Sequence, residues 1–204
     1  MEEKVIYLLF TNTGTLLARV IRLFTGQSLN HVSICFDHKL MEVYSFGRKK
    51  VRNPFIGGFV KEDVRCGFLR KSECEIYQFT IEDLEYNRIL ERIREVEARK
   101  DAYKYNFLGL FGVLFQLELK RRNAFFCSQF IATLLNEVKQ IQFSKSICFV
   151  KPEDIRKLEG LQLIYKGILE SYYKEEIEEE KQLQRSFLPF YLSKKLKHFK
   201  IAKG

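Results

Sequence analysis

The sequence lacks the patterns that are typical of secreted proteins and of metal-binding proteins. It has five cysteines, an odd number with no CxxC pair, and three of them lie inside apolar runs. The number and spacing of the cysteines argue against a disulfide framework and against a zinc site. The first ten residues, MEEKVIYLLF, begin with two acids, which is the wrong charge for a secretory signal. We therefore expect no export and a cytoplasmic protein with reduced cysteines.

No apolar run is long enough to cross a bilayer. The longest nearly uncharged one, residues 105–117 (YNFLGLFGVLFQL), has thirteen residues, whereas a membrane-spanning helix needs about twenty. We therefore predict that this segment forms part of the core or the wall of an apolar groove. With 204 residues, of which 46% are hydrophobic, the chain is long enough to bury a substantial core.

Positive charge is concentrated at one end of the chain. The formal net charge is +9, and residues 185–204 hold six basic residues and no acid, so they supply +6 of it. Aromatic and aliphatic residues alternate with these lysines, as in segments that lie on anionic membranes. A helix that docks on its own domain or on a protein partner explains the same pattern. We predict a domain over 1–168 and a charged helical extension over 169–204.

Hydrophobic patterning predicts an α+β domain. The predicted strands cover 5–10, a first hairpin with its turn at Asp37 and His38, a second hairpin of 64–70 with 75–79, and a last strand over 161–165. The predicted helices cover 16–24, 83–100 after a cap at Thr80, 127–138, and 152–158. Residues 48–63 contain Pro54, Gly57 and Gly58 and predict a loop over the first hairpin.

Cys127 opens the third predicted helix. It begins an apolar stripe at the spacing of one helix face, which continues through Phe130, Ile131, Leu134 and Val138. Unpaired N–H groups and the positive end of the helix dipole favour a thiolate over a thiol at this position. The pattern fits a nucleophile. It also fits a small core residue, because free cysteine is among the most buried residue types.

A cysteine nucleophile needs a base, and the sequence has only three histidines. His198 lies in the basic tail and His38 in a predicted turn, where a solvated side chain is expected. His31 follows Asn30 and begins a strand, so it is the candidate base for Cys127. The sequence offers no histidine that could act as the base for any of the other four cysteines. These are interpreted as packing residues: Cys35, Cys66, Cys74 and Cys148.

Glu42 is the candidate third residue. If the turn of the first hairpin has two or four residues, Ser33 pairs with Glu42 and His31 with Tyr44. Glu42 then lies diagonally next to His31 on the same face, where it can accept a hydrogen bond from the imidazole. A three-residue turn slips the register and removes Glu42 from the site. A solvated strand residue at Glu42 and a polar strand end at His31 explain the same positions.

The order His31, Glu42, Cys127 resembles that of the circularly permuted papain-like hydrolases of the NlpC/P60 superfamily, particularly the YiiX/YebB-like group. The matching pieces span about residues 1–168 and are Asn30-His31-Val32, Glu42, Tyr105-Asn106, Phe126-Cys127-Ser128-Gln129-Phe130 and Lys151-Pro152-Glu153-Asp154-Ile155. The Gly-Asp usual near the first strand is absent, because that region reads Phe10-Thr11-Asn12-Thr13-Gly14.

The resemblance implies a papain-like α+β fold, in which an antiparallel sheet packs against the cysteine-bearing helix. It implies a cysteine hydrolase that needs no metal or organic cofactor and acts on an amide or ester of a small molecule, peptide or acyl lipid. Cys127 would attack the carbonyl carbon, His31 would transfer the proton and Glu42 would orient His31.

An alternative to hydrolysis is also open at this point. A non-catalytic or acyl-transferring member could use residues 185–204 to bind an anionic membrane or a protein partner, as a peripheral membrane protein. Nucleic-acid binding has no supporting motif.

Overall fold

The computed structural model describes residues 2–13, 28–50, 53–67, 69–106, 108, 109, 112, 113, 117 and 121–178. Six of its strands form one antiparallel sheet in the order β4-β3-β2-β1-β5-β8, and the short strands β6 and β7 form a parallel pair. The strands are β1 (Glu3–Thr11), β2 (His31–Cys35), β3 (Val43–Lys50), β4 (Asn53–Glu62), β5 (Glu73–Glu82), β6 (Lys104–Tyr105), β7 (Ala124–Phe125) and β8 (Gln162–Ile168). The predicted α+β class is therefore confirmed.

Helices pack on both sides of this sheet. They are α1 (Asp83–Ala98), α2 (Cys127–Leu135), α3 (Pro152–Arg156) and α4, which covers residues 169–178, with 3₁₀ turns at Leu69–Lys71 and Ile147–Phe149. The larger core cluster joins α1 and α2 to the sheet, and α2 packs directly against β2 and β3. The predicted helices at Cys127 and Pro152 and the predicted last strand are confirmed.

Residues 48–63 do not form the predicted loop. Residues 48–50 complete β3 and residues 53–62 form all of β4, and the two strands pair in antiparallel register with Phe46 opposite Phe59 and Gly47 opposite Gly58. The glycines reflect close packing, not a turn, because a Cβ atom on Gly57 would lie 2.7 Å from the Cβ atom of Tyr105. The prediction was wrong because it treated two glycines inside a strand as a break.

The second predicted hairpin is also wrong. Residues 64–67 form turns, where Gly67 has a φ of 65°, and Leu69 begins a 3₁₀ helix, so only the second predicted strand, 75–79, is confirmed, as part of β5. β5 pairs with β1 and β8. Because β5 continues to Glu82, which lies opposite Glu3, Thr80 remains in the strand and does not cap α1. Glu82 and Glu85 form the capping box of α1.

The first part of the predicted C-terminal extension packs on the sheet. Leu169 is fully buried in the smaller core cluster, and Tyr173 packs against the same cluster with its ring 5.0 Å from the guanidinium of Arg65. The predicted helix over 16–24 and the basic segment 185–204 lie outside the described residues, as does much of 105–117. No helix in the described part of the chain combines the length and the apolar character needed to span a membrane.

Candidate active site

Cys127 is the first residue of α2 and is 6% exposed. Phe126 precedes the helix with an extended backbone, and the first intrahelical hydrogen bond runs from the N–H of Phe130 to the carbonyl of Phe126 at 3.0 Å. The Ser128 hydroxyl anchors this first turn by donating to the carbonyl of Val150 at 2.7 Å. The thiol is therefore held at a helix N-terminus, where backbone N–H groups are not consumed by the helix itself.

His31 begins β2, and the Cys127 side chain is among the groups that raise the pKa of its imidazole. Asn30 fixes the entry to this strand, because its Oδ1 accepts from the Thr13 hydroxyl at 3.1 Å and its Nδ2 donates to the carbonyl of Ser28 at 3.2 Å. The carbonyl of Asn30 lies 4.0 Å from Sγ of Cys127. The start of β2 and the start of α2 thus meet at the thiol.

Glu62, at the end of β4, supplies the carboxylate next to His31. Its Oε1 lies 2.7 Å from Nε2 of His31 and also accepts from the Ser45 hydroxyl at 2.7 Å. Its Oε2 accepts from the Ser33 hydroxyl at 2.6 Å. The carboxylate is therefore held by three groups on the neighbouring strands, and its orientation is fixed.

Glu42 does not take the predicted position at His31. The hairpin pairs Ile34 with Tyr44 and Cys35 with Val43, so the register differs by three residues from the predicted one. An odd shift turns a side chain to the opposite face of the sheet. The Glu42 carboxylate instead accepts from Nζ of Lys61 at 2.6 Å, and its side chain is 53% exposed, against 10% for Glu62.

The ionisation of His31 and Glu62 is coupled through their contact. Burial of the ring opposes its charge, but the Glu62 carboxylate and the hydrogen bond with Cys127 outweigh burial and raise the pKa of His31 well above its usual value. Burial likewise opposes ionisation of Glu62, but His31 and the two serine hydroxyls lower the pKa of its carboxyl. The pair therefore favours an imidazolium facing a carboxylate.

The other four cysteines differ from Cys127. Burial raises the pKa of Cys35 and of Cys74 to about 12. Cys66 is exposed and Cys148 partly exposed. The exposed His38 side chain lies 3.6 Å from Glu176. No group of three histidine, cysteine or acidic side chains in the described ranges could hold a metal ion.

The residues that sequence reasoning missed are Glu62, Ser33 and Ser45. Glu62 was hidden by the assignment of residues 48–63 to a loop, since only a β3–β4 ladder brings position 62 beside position 43, and the roles of Ser33 and Ser45 follow from its position. The available signal was the enrichment in aromatic and β-branched residues on both sides of the two glycines, namely Phe55, Ile56, Phe59 and Val60.

Comparison of the chain with protein-family models, curated proteins and solved structures finds no match. The chemistry must therefore be argued from the site itself. A thiol at a helix N-terminus, an imidazole on the residue after the carbonyl that the thiol approaches, and a carboxylate that holds the imidazole match the parts of a cysteine nucleophile with its base and orienting group.

Proposed function

We propose that this protein is a cysteine hydrolase that cleaves an amide or ester bond through an acyl-enzyme on Cys127. The observation that carries the proposal is the meeting of the start of β2 with the start of α2. The carbonyl of Asn30, next to His31 in the chain, lies 4.0 Å from Sγ of Cys127, and the Glu62 carboxylate lies 2.7 Å from Nε2 of His31. This is the geometry that nucleophilic catalysis by cysteine requires.

Each residue has a role that follows from its contacts. Glu62 engages Nε2 of His31, which leaves Nδ1 as the ring nitrogen that exchanges a proton with the thiol. The thiolate of Cys127 attacks the carbonyl carbon, and His31 returns the proton to the leaving amine or alcohol as the tetrahedral intermediate collapses. The backbone N–H of Cys127, at the start of α2, is placed to stabilise the developing oxyanion.

The resemblance to the permuted papain-like hydrolases supports the same reaction. The sheet packed against the cysteine-bearing helix agrees with the fold that the resemblance implies, and the histidine precedes the cysteine in the chain. The carboxylate departs from the expected pattern, because Glu62 follows His31 by 31 residues and lies on β4, two strands away in the sheet. We assign the orienting role to Glu62 in place of Glu42.

The proposed substrate is an amide or ester of a small molecule, a peptide or an acyl lipid. The same acyl-enzyme would serve acyl transfer if a second nucleophile replaced water. Binding of residues 185–204 to an anionic membrane stays a prediction, since these residues lie outside the described ranges.

The proposal is tested by trapping the acyl-enzyme. Cys66 and Cys148 are the accessible competing thiols, so both are changed to serine. This background protein is treated with p-nitrophenyl acetate, and the acetylated cysteine is identified by mass spectrometry. We expect rapid acetylation of Cys127 and a large loss of rate in His31→Ala. Acetylation of Cys127 that is equally fast without His31 would refute the proposal.

A further inference from the structure

The hydroxyl of Thr11 is buried beside the candidate active site without a hydrogen-bond partner. Thr11 ends β1 and is 1% exposed, and no group among the residues that the structure describes bonds its Oγ1 atom. A buried hydroxyl that makes no hydrogen bond has lost its hydration without compensation. Valine has a similar shape and is better suited to a buried strand, so the hydroxyl calls for a functional explanation.

The register of the sheet puts this hydroxyl next to the imidazole. Thr11 lies directly opposite His31 in the antiparallel β1–β2 pair, and side chains of such pairs share one face at a Cβ separation of about 5 Å. Glu62 and Ser45 reach His31 from β4 and β3, on the other side of β2 from β1. Thr11 therefore flanks the ring on the side that the carboxylate does not occupy.

Backbone contacts of Asn30 connect Thr11 to Cys127. The carbonyl of Thr11 accepts from the N–H of Asn30 at 3.2 Å, and the carbonyl of Asn30 lies 4.0 Å from Sγ of Cys127. Thr11 and Cys127 thus both border the Asn30–His31 segment. A water bonded to the Thr11 hydroxyl would lie beside the His31 side chain, at the segment that the thiol also borders.

We propose that Thr11 binds the water molecule that hydrolyses the acyl-enzyme. This inference rests on the proposed function. A threonine hydroxyl donates one hydrogen bond and accepts others, so it can hold a water while the imidazole accepts a proton from that water. Glu62 is less suited to this role, because three of its acceptor positions are taken by His31, Ser33 and Ser45 and it reaches His31 from the β3–β4 side.

The step balances without a further reactant. The water oxygen forms a bond to the carbonyl carbon of the acyl-Cys127 thioester, and one water proton passes to Nδ1 of His31. The tetrahedral intermediate then collapses, the C–S bond breaks, and the departing Cys127 sulfur recovers the proton from His31. The products are the free carboxylic acid and the thiol, and Thr11 holds the water in line for attack.

Thr11→Val tests this role because it removes the hydroxyl and keeps the shape of the side chain. In the Cys66→Ser, Cys148→Ser background, p-nitrophenyl acetate is added, excess reagent is removed, and the loss of acetyl from Cys127 is followed by mass spectrometry. We expect acetylation at the rate of the parent protein and deacetylation slower by roughly 10- to 100-fold. Hydroxylamine, a nucleophile that does not depend on a bound water, should restore deacetylation.

Two further measurements separate this role from a structural one. Thr11→Ser restores the hydroxyl and should deacetylate at a rate close to that of the parent protein. The melting temperature of Thr11→Val should stay close to that of the parent, because the substitution removes no hydrogen bond to the described part of the protein. Deacetylation as fast in Thr11→Val as in the parent, or an equal slowing of acetylation and deacetylation, would overturn the inference. Failure of the parent protein to acetylate Cys127 would refute the proposed function instead.

Discussion

The carboxylate of Glu62 lies 2.7 Å from Nε2 of His31, although the two residues are 31 positions apart in the chain. Strands β2, β3 and β4 lie side by side, and serines on β2 and β3 donate to the same carboxylate. Removal of one partner from a buried charged pair costs about 3–5 kcal/mol, because the other charge is left uncompensated. The imidazole is therefore held in one orientation, with its other nitrogen available to Cys127.

Glu62→Gln should reduce activity far more than Glu42→Gln. The glutamine side chain keeps the size of Glu62, but its amide can donate to Nε2 and so stabilises the wrong tautomer of His31. Loss of the orienting carboxylate reduces turnover by about 100- to 10,000-fold in comparable sites. Glu42 is the matched control, because it is an exposed glutamate bonded to Lys61. Turnover of p-nitrophenyl acetate measures both. A large loss in Glu42→Gln with normal turnover in Glu62→Gln would contradict the assignment.

The contrast between Glu42 and Glu62 explains what the sequence could predict. The Cys127 helix and the His31 strand depend on local patterns, namely a helical apolar stripe and a short β-rich run, and both were correctly located. The partner of His31 depends on hairpin register and on the pairing of β3 with β4, which are long-range properties. Gly57 and Gly58 concealed that pairing, because their use for close contact with Tyr105 and Tyr103 is invisible in the sequence.

His31→Ala should slow alkylation of Cys127 by iodoacetamide near neutral pH. The imidazole is the candidate base that can accept the thiol proton, and the thiolate is the reactive form. The measurement uses the Cys66→Ser, Cys148→Ser background. Cys35 and Cys74 serve as internal controls, since burial raises the pKa of each to about 12 and both should label slowly in either protein. Unchanged labelling of Cys127 in His31→Ala would argue against a functional thiol–imidazole pair.

Ser45→Ala should destabilise the fold by about 1–3 kcal/mol, because it leaves a largely buried carboxylate without one of its donors. Ser45 is fully buried, and its hydroxyl lies 2.7 Å from Oε1 of Glu62. Urea denaturation gives the change in the free energy of unfolding. The control is the same substitution in a Glu62→Gln background, where the cost should shrink because the buried charge is gone. An equal cost in both backgrounds would show that Ser45 acts independently of Glu62.

The stability that Glu62 and His31 provide should be greatest between mildly acidic and neutral pH. The pKa of Glu62 is lowered from its usual 4.5, so its contribution is fully present above that pH and is lost as the pH falls through the folded-state pKa. The pKa of His31 is raised from its usual 6.5, so its contribution is fully present below that pH and is lost as the pH rises through the folded-state pKa. The difference in melting temperature between the parent protein and Glu62→Gln, measured across this range, should therefore pass through a maximum. A difference that stays constant with pH would show that the two residues do not form a charged pair in the folded protein.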